Sequence, residues 1–383
     1  MLTHVYLVSS QATPNLTPAL DRHTAPQRVI LIVSPGMAQQ ADWLEAVLSP
    51  RLKTVRWQVP DPFDVELLQL RFLELLEAHA DLIPAKQIVL NATGGTKPMS
   101  IAAYEAFRAY DLPIFYIHPE KDRLIWLHPG EWTAVDLADR VKLEHFLAAH
   151  GVSVHDKPVR NVPDQALLQV GEAIVHDLER FQKPLGTLNW LAASAERNLR
   201  SSAIKNDHGE LRQLIDLFEM HEILRRKQGS LQFASEAHRF FTNGGWLEYL
   251  VFDAVRRLRK KDMRIHDVVR SVQVARVHQD REVHNELDVV FLRDNRLHII
   301  ECKTRQFKGR GEDSPGAETL YKLDTLGDVL GGLQARSMLV SYQQLRKADI
   351  DRAASLGISV CHGEQLQRLE QHLSRLVSGD FSA

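Results

Sequence analysis

The segment Asn285-Glu286-Leu287-Asp288-Val289-Val290-Phe291-Leu292, the link Arg293-Asp294-Asn295-Arg296 and the segment Leu297-His298-Ile299-Ile300-Glu301-Cys302-Lys303-Thr304 read as one β-hairpin. Both runs are apolar and rich in β-branched residues, and Asp-Asn supplies short polar side chains that tolerate left-handed backbone at the turn. Side chains alternate faces along a strand, so Glu301 and Lys303 share one face and Cys302 points the other way. A carboxylate beside a lysine at the end of an apolar strand, with Asp288 set into the other strand, is costly to bury. A divalent cation offsets that cost. Two carboxylates suit Mg²⁺ or Mn²⁺, and a neighbouring lysine can orient or deprotonate an attacking water. The plain alternative is an amphipathic hairpin with its charges in solvent. Val289-Val290-Phe291 and Ile299-Ile300 argue against it, because they bury both strands around the charges.

An Asp followed across a hairpin by Glu-x-Lys resembles the PD-(D/E)xK nuclease core, matched here by Asp288, Glu301 and Lys303. The resemblance implies a restriction-endonuclease-like α/β domain that hydrolyses phosphodiester bonds with a bound metal ion.

The rest of the chain sets limits on this reading. Its 383 residues are 44% hydrophobic and 25% charged, which suits two or three ordinary globular domains. The net charge of −2 provides no global basic field, so contact with nucleic acid must come from a local patch. Cys302 and Cys361 are too few for a disulfide framework or a cysteine-rich zinc site, and they fit a reducing cytoplasm. The start, Met-Leu-Thr-His-Val-Tyr-Leu-Val, reads as neither a signal peptide nor a membrane span.

The first third alternates apolar strands with helices. Strands are expected at 5–8, 28–33, 53–59, 87–90, 114–117 and 123–127, with helices over 37–48, 65–80 and from 97 to about 110. Asp64 is placed to cap the second helix. Continuous apolar strands separated by helices imply a parallel sheet covered on both faces. Ligands of such sheets sit at the carboxyl ends of strands, near a switch in strand order. That edge holds Asn91-Ala92-Thr93-Gly94-Gly95-Thr96-Lys97-Pro98. Gly94 and Gly95 let backbone N–H groups approach an anion, the next helix points its positive end there, and Thr93, Thr96 and Lys97 supply hydroxyls and a charge. A capped strand-to-helix turn is the plain alternative. The spacing matches neither a Walker A loop nor the dinucleotide glycine motif.

Asn-x-Thr-Gly-Gly-Thr-Lys-x-Met after an apolar strand resembles the signature of CARF domains, the Rossmann-like sensors of cyclic oligoadenylates in CRISPR defence. A CARF-like half ahead of a PD-(D/E)xK half resembles the ancillary nucleases of the Card1/Can2 type over nearly the whole chain. The resemblance implies a cyclic-oligoadenylate-activated nuclease of type III CRISPR antiviral defence that cuts DNA and/or RNA. It implies a homodimer holding one ring, cyclic tetra-adenylate in the family, against Ser10, Gln11, Thr93 and Lys97 of each chain. Gly-Gly-Trp-Leu-Glu at 244–248 resembles the family's acidic helix, making Glu248 a further metal ligand; its plain alternative is a glutamate favouring the helix dipole. Two other readings stay open: a restriction-type DNA endonuclease with an unrelated ligand domain, and a sensor or regulator with an inactive nuclease fold. The intact Asp, Glu and Lys weigh against the last.

The expected division is a sensing domain at 1–150, a linker and helical region at 151–235, and a nuclease domain at 236–383. Within the middle region, 152–163 reads as a linker and hinge. Residues 165–182 read as a helix broken by Pro184-Leu185-Gly186, and 208–227 as a helix with a basic end at Arg225-Arg226-Lys227. The run Thr304 to Gly311 is basic and glycine-containing, suited to phosphate contact.

Overall fold

The computed structural model of the chain describes residues 1–118, 120–138, 141–205, 209–278, 281–305 and 315–379. The apolar runs of the first third form β1 (Thr3–Leu7), β2 (Arg28–Val33), β3 (Lys53–Gln58), β4 (Ile88–Asn91), β5 (Ile114–His118), β6 (Arg123–His128) and β7 (Val135–Asp136). They lie in the order β3-β2-β1-β4-β5-β6-β7; the first five are parallel and the last two antiparallel. Strand alternation divides the core. Tyr6 and Leu31 face α1 (Thr13–Leu20), α2 (Ala38–Leu48) and α5 (Leu143–Ala149), while Val5, Leu7 and Ile30 face α3 (Val65–Ala78) and α4 (Lys97–Ala109). Asp64 caps α3 as expected, accepting from the Leu67 N–H at 3.0 Å. Strand order reverses between β1 and β4, so the loops after these two strands flank the crevice where sheets of this kind bind ligands.

The second sheet runs β15-β14-β13-β12-β11-β8. Its members are β8 (Val152–Val154), β11 (Ile265–His278), β12 (Arg281–Arg293), β13 (Arg296–Lys303), β14 (Arg336–Ser341) and β15 (Ser359–His362). A side hairpin, β9 (Leu224–Lys227) with β10 (Ser230–Phe233), stands apart from it. The expected hairpin is β12–β13, paired Val289↔Ile300 and Arg293↔Arg296, and its turn residues Asp294 and Asn295 both take positive φ, 47° and 50°. One face of the sheet, with Val289, Phe291 and Ile300, packs on α6 (Gln165–His176), α7 (Leu178–Ser194), α10 (Trp246–Lys261) and α13 (Leu369–Ser378). The short α8 (Gly209–Met220) and α9 (Glu236–Phe240) flank this layer. The other face, with Val290, Ile299 and Leu339, packs on α11 (Pro315–Gly331) and α12 (Lys347–Ser355).

One apolar cluster runs without a break from the α1–α2–α5 face of the first sheet to the α11–α12 face of the second. Polar contacts cross the same seam. Asn295, wholly buried, donates to Asp122 in the turn between β5 and β6, and the Arg296 guanidinium donates to the Glu120 carbonyl. The Leu143 N–H donates to Asp267 at 2.6 Å.

Three expectations are corrected. The stretch 152–163 is no free hinge: β8 pairs with β11, and the Arg270 N–H donates to the Val159 carbonyl at 3.1 Å. Pro184 does not break its helix, because α7 runs through it; the break falls at Asp177, between α6 and α7. Burial of Leu185, Leu188 and Leu191 outweighs the hydrogen bond lost at proline, a cost of ~3 kcal/mol. The helix expected over 208–227 ends at Met220, and the basic run is strand β9. Gln228 and Gly229, both with positive φ, turn it tightly into β10.

Candidate functional site

The hairpin carries Asp288 and Glu301 into the second sheet with 8% and 5% of their surfaces exposed. Cys302 packs with Ile300 on the face covered by α10, which leaves Glu301 and Lys303 together on the face covered by α11, as the alternation requires. Lys303 forms an ion pair with Glu301. Asp288 accepts from the Cys302 N–H at 2.7 Å across the hairpin. Glu248, in the first turn of α10, is 9% exposed and accepts from the Ser271 hydroxyl at 3.3 Å.

Electrostatics mark these three acids as one site. Burial, then the charges of Asp288 and Glu286, push the Glu248 carboxyl well above its ordinary value. Burial and the Glu301 charge raise Asp288 from 3.8 to about 7, against the pull of Lys303. Burial alone would lower the Lys303 ammonium, but Glu301 and Asp288 more than reverse it, and the net shift is upward. Lys303 is therefore a cation at neutral pH, fitted to donate rather than to remove a proton.

Among the described residues, no group of three or more His, Cys, Asp or Glu side chains is placed to hold a metal ion. Each acid is turned instead to a protein donor: Lys303, the Cys302 N–H or Ser271. The donor set nevertheless fits a hard divalent cation. It is all oxygen, buried, and carries mutual repulsion that such an ion would remove.

Sequence reasoning missed Arg270, Ser271 and Glu286. Ser271 has φ of 51°, just past an irregularity in the β11–β12 register, and no sequence pattern announces it. The Arg270 guanidinium lies 3.9 Å from the centre of the Tyr249 ring and draws Glu248 downward. The start of α10 is fixed by Gly244, with φ of 107°, where a Cβ would overlap the Thr304 hydroxyl. The Asn189 carboxamide on α7 accepts from that hydroxyl at 3.1 Å and donates to the Thr242 and Leu185 carbonyls at 3.0 and 3.2 Å. Gln306 to Gly311 of the expected phosphate-contacting run lie outside the described residues.

At the first sheet, the expected loops meet at the switch in strand order. Wholly buried Asn91 donates to the Pro14 carbonyl at 2.9 Å and accepts from the Thr93 N–H and hydroxyl at 3.1 and 2.6 Å. The Thr93 hydroxyl also accepts from the Ile117 N–H at 2.8 Å. Thr96 caps α4, accepting from the Met99 N–H at 3.3 Å and donating to the Pro62 carbonyl. These three side chains hold the loop's shape. Gly94 packs so tightly that a Cβ would overlap the Leu7 carbonyl, and Gly95 has φ of 71°. Lys97 at the start of α4 and Ser10 after β1 are exposed. Gln11 lies elsewhere, over the Cα of Gly332 in the second half of the chain.

Comparison with known proteins agrees in both halves. Residues 3–146 match the Card1 CARF domain family, and residues 234–378 match the family described as Card1-like, endonuclease domain. Protein VC1899 from Vibrio cholerae is 33% identical, with 98% of each chain covered and a TM-score of 0.90. Can2 from Sulfobacillus thermosulfidooxidans, solved in complex with cyclic tetra-adenylate, is 29% identical, covering 98% of this chain and 99% of that one, with a TM-score of 0.81. A type III CRISPR defence DNA nuclease activated by cyclic oligoadenylate shares the fold at 18% identity and a TM-score of 0.59, covering 97% of this chain and 51% of its own. No curated protein matches the chain.

Proposed function

The chain belongs to the family of Card1-type CARF-domain endonucleases, and from that premise we propose that a cyclic oligoadenylate, cyclic tetra-adenylate first among them, switches on its divalent-metal-dependent cleavage of DNA and/or RNA. The observation that carries the catalytic half is the set of buried acids Glu248, Asp288 and Glu301, with Lys303 paired to Glu301. The sensor half rests on the Gly94-Gly95 loop, with exposed Lys97 at the switch in strand order, and on the cyclic tetra-adenylate complex of the relative Can2.

Asp288, Glu301 and Glu248 would hold Mg²⁺ or Mn²⁺. The bound ion would supply an activated water and a counter-charge for the scissile phosphate. The protein's own groups do the rest. The Cys302 N–H and the Ser271 hydroxyl fix the orientation of Asp288 and Glu248. The Lys303 ammonium donates to the phosphate oxygen on which charge builds. The apolar residues around the strand ends keep bulk water away and strengthen every charge interaction within. Two chains would pair so that one even-numbered ring meets the same loop twice, and the reducing cytoplasm is the compartment that suits Cys302 and Cys361 as free thiols.

The test is a cleavage assay on single- and double-stranded DNA and RNA, with Mg²⁺, Mn²⁺ or EDTA, and with cyclic tetra-adenylate, cyclic hexa-adenylate or no ring. Cleavage that needs both metal and ring is expected. Cleavage indifferent to every ring points to a restriction-type enzyme, and ring binding without cleavage to a sensor alone.

A further inference from the structure

The segment between β3 and α3, Val59-Pro60-Asp61-Pro62-Phe63-Asp64, leaves Phe63 with 69% of its surface in solvent. A single exposed apolar side chain needs no explanation by itself. This one stands on a fixed support. Its N–H donates to the Asp61 carboxylate at 2.8 Å, Asp64 caps α3, and the Thr96 hydroxyl donates to the Pro62 carbonyl at 2.6 Å. Pro60 and Pro62 fix two φ angles within the same turn. Thr96 closes the Gly94-Gly95 loop and begins α4. In the sheet, β3 and β4 are separated by β2 and β1, so the two loops meet over the carboxyl ends of those strands. Phe63 therefore stands on the rim of the crevice at the switch in strand order, in a turn bonded to the residue next to Lys97.

A cyclic oligoadenylate brings two kinds of surface, anionic phosphates and the flat faces of its bases. The Gly94-Gly95 backbone, Lys97 and the positive end of α4 suit the phosphates. The Asn91, Thr93 and Thr96 side chains are committed to the shape of the loop. None of these groups covers a base. Of the segments that follow β1, β2, β3 and β4 up to the next helix, only the one after β3 contains an aromatic residue. Asp61 and Asp64 flank it and repel a phosphate, so the group that suits this spot is an uncharged base. Resting on the sensor reading above, we infer that Phe63 is a base-stacking residue of the sensor, its phenyl face packed on an adenine of the bound activator while the loop after β4 holds the adjoining phosphate.

Cyclic tetra-adenylate is titrated by calorimetry into wild type, Phe63→Ala, Phe63→Tyr and Lys97→Ala at several salt concentrations. Phe63→Ala is expected to weaken binding by about 5- to 150-fold, and Phe63→Tyr by less than about fivefold, because a phenol still stacks. The salt dependence of the affinity should stay as in wild type for Phe63→Ala and flatten for Lys97→Ala, since only the second loses a phosphate contact. A cyclic tetra-adenylate with one adenine replaced by 2-aminopurine should lose fluorescence on binding wild type and regain part of it on Phe63→Ala. Wild-type affinity in Phe63→Ala overturns the inference. So does a loss of affinity accompanied by a lighter species in sedimentation without the activator, which makes Phe63 a contact between two copies of the chain. A wild type that binds no cyclic oligoadenylate defeats the sensor reading and this inference with it, whereas a wild type that binds and a Phe63→Ala that binds equally defeat this inference alone.

Discussion

Replacing Asp288 by Asn should make the metal-free protein more stable. Burial and the Glu301 charge raise this carboxyl from 3.8 to about 7 in the folded chain. At 1.36 kcal/mol for each tenfold change, the charged form is disfavoured by on the order of 4 kcal/mol. The unfolded chain releases the proton near 3.8 and the folded chain near 7. Between those values the folded state binds more protons, so stability falls as pH rises, and above pH 7 the whole cost is present. Asn removes the charge and keeps an oxygen to accept from the Cys302 N–H, but it forfeits the attraction to Lys303. A net gain of about 2–4 kcal/mol is therefore expected near pH 8.5 in EDTA, a rise of roughly 2–5 °C in melting temperature for a chain of 383 residues. Near pH 5.5 the gain should shrink to about half. Saturating Mg²⁺ or Mn²⁺ should close most or all of the gap: at a hundred times Kd the wild type gains about 2.7 kcal/mol, which the variant largely lacks. Thermal melts of both proteins at the two pH values, with and without metal, decide the matter. An Asp288→Asn protein that melts at or below wild type in EDTA near pH 8.5 refutes the electrostatic reasoning, and equal stabilisation of both proteins by metal refutes Asp288 as a ligand.

Glu301→Ala and Lys303→Ala should each slow single-turnover cleavage by on the order of a hundredfold or more, while calorimetry finds ring affinity unchanged. Lys97→Ala should weaken cyclic tetra-adenylate binding by about tenfold or more, the value of one charge-assisted hydrogen bond. Thr93→Ala should lower both ring affinity and melting temperature, because its hydroxyl ties Asn91 to the Ile117 N–H. Asn295→Ala should cost about 1–3 kcal/mol of stability by removing the buried hydrogen bond that Asn295 donates to Asp122. It should also reduce the ratio of ring-activated to basal cleavage, with ring affinity intact by calorimetry.

The hairpin and the parallel half of the fold were legible in the sequence because both rest on local signals: continuous apolar runs and an Asp-Asn turn whose residues do take positive φ. Asp288, Glu301 and Lys303 were legible because charges set into such runs stand out, whereas Glu248 on α10 was singled out only by the resemblance of Gly-Gly-Trp-Leu-Glu to the family's acidic helix. The middle was misread where two signals competed. Leu224 and Leu231 to Phe233 alternate as strands, but a preceding amphipathic run and a basic cluster mimic a helix end. Pro184 looked like a breaker because the sequence does not show the core that α7 buries around it. Arg270 and Ser271 depend on an irregular register in β11, and the placing of Phe63 on the bond that Thr96 makes to Pro62, 34 residues away. Such relations exist only once the tertiary structure is formed.

The seam between the halves gives the sensor a mechanical route to the chemistry. β4 ends at the Gly94-Gly95 loop, and β5 leaves the same edge of the sheet, with Thr93 bonded to Ile117 on it. The turn after β5 grips the catalytic hairpin at Asn295 and Arg296. From Arg296, β13 runs to Lys303, paired with β12 over its first part, to Ile300, and with β14 from His298 to its end. At ~3.3 Å per residue that is roughly 23 Å of stiff ladder. A ladder so held resists bending along its length, so displacement of its turn is carried to Glu301 and Lys303 at the far end. On the other side of the seam, Gln11 rests on Gly332 just beyond α11, the helix that covers the sheet face carrying those two charges. A ring that repositions the loops after β1 and β4 thus bears on the hairpin turn and on its covering helix at once. With the apolar core continuous between the sheets, the second half has little freedom to ignore the shift.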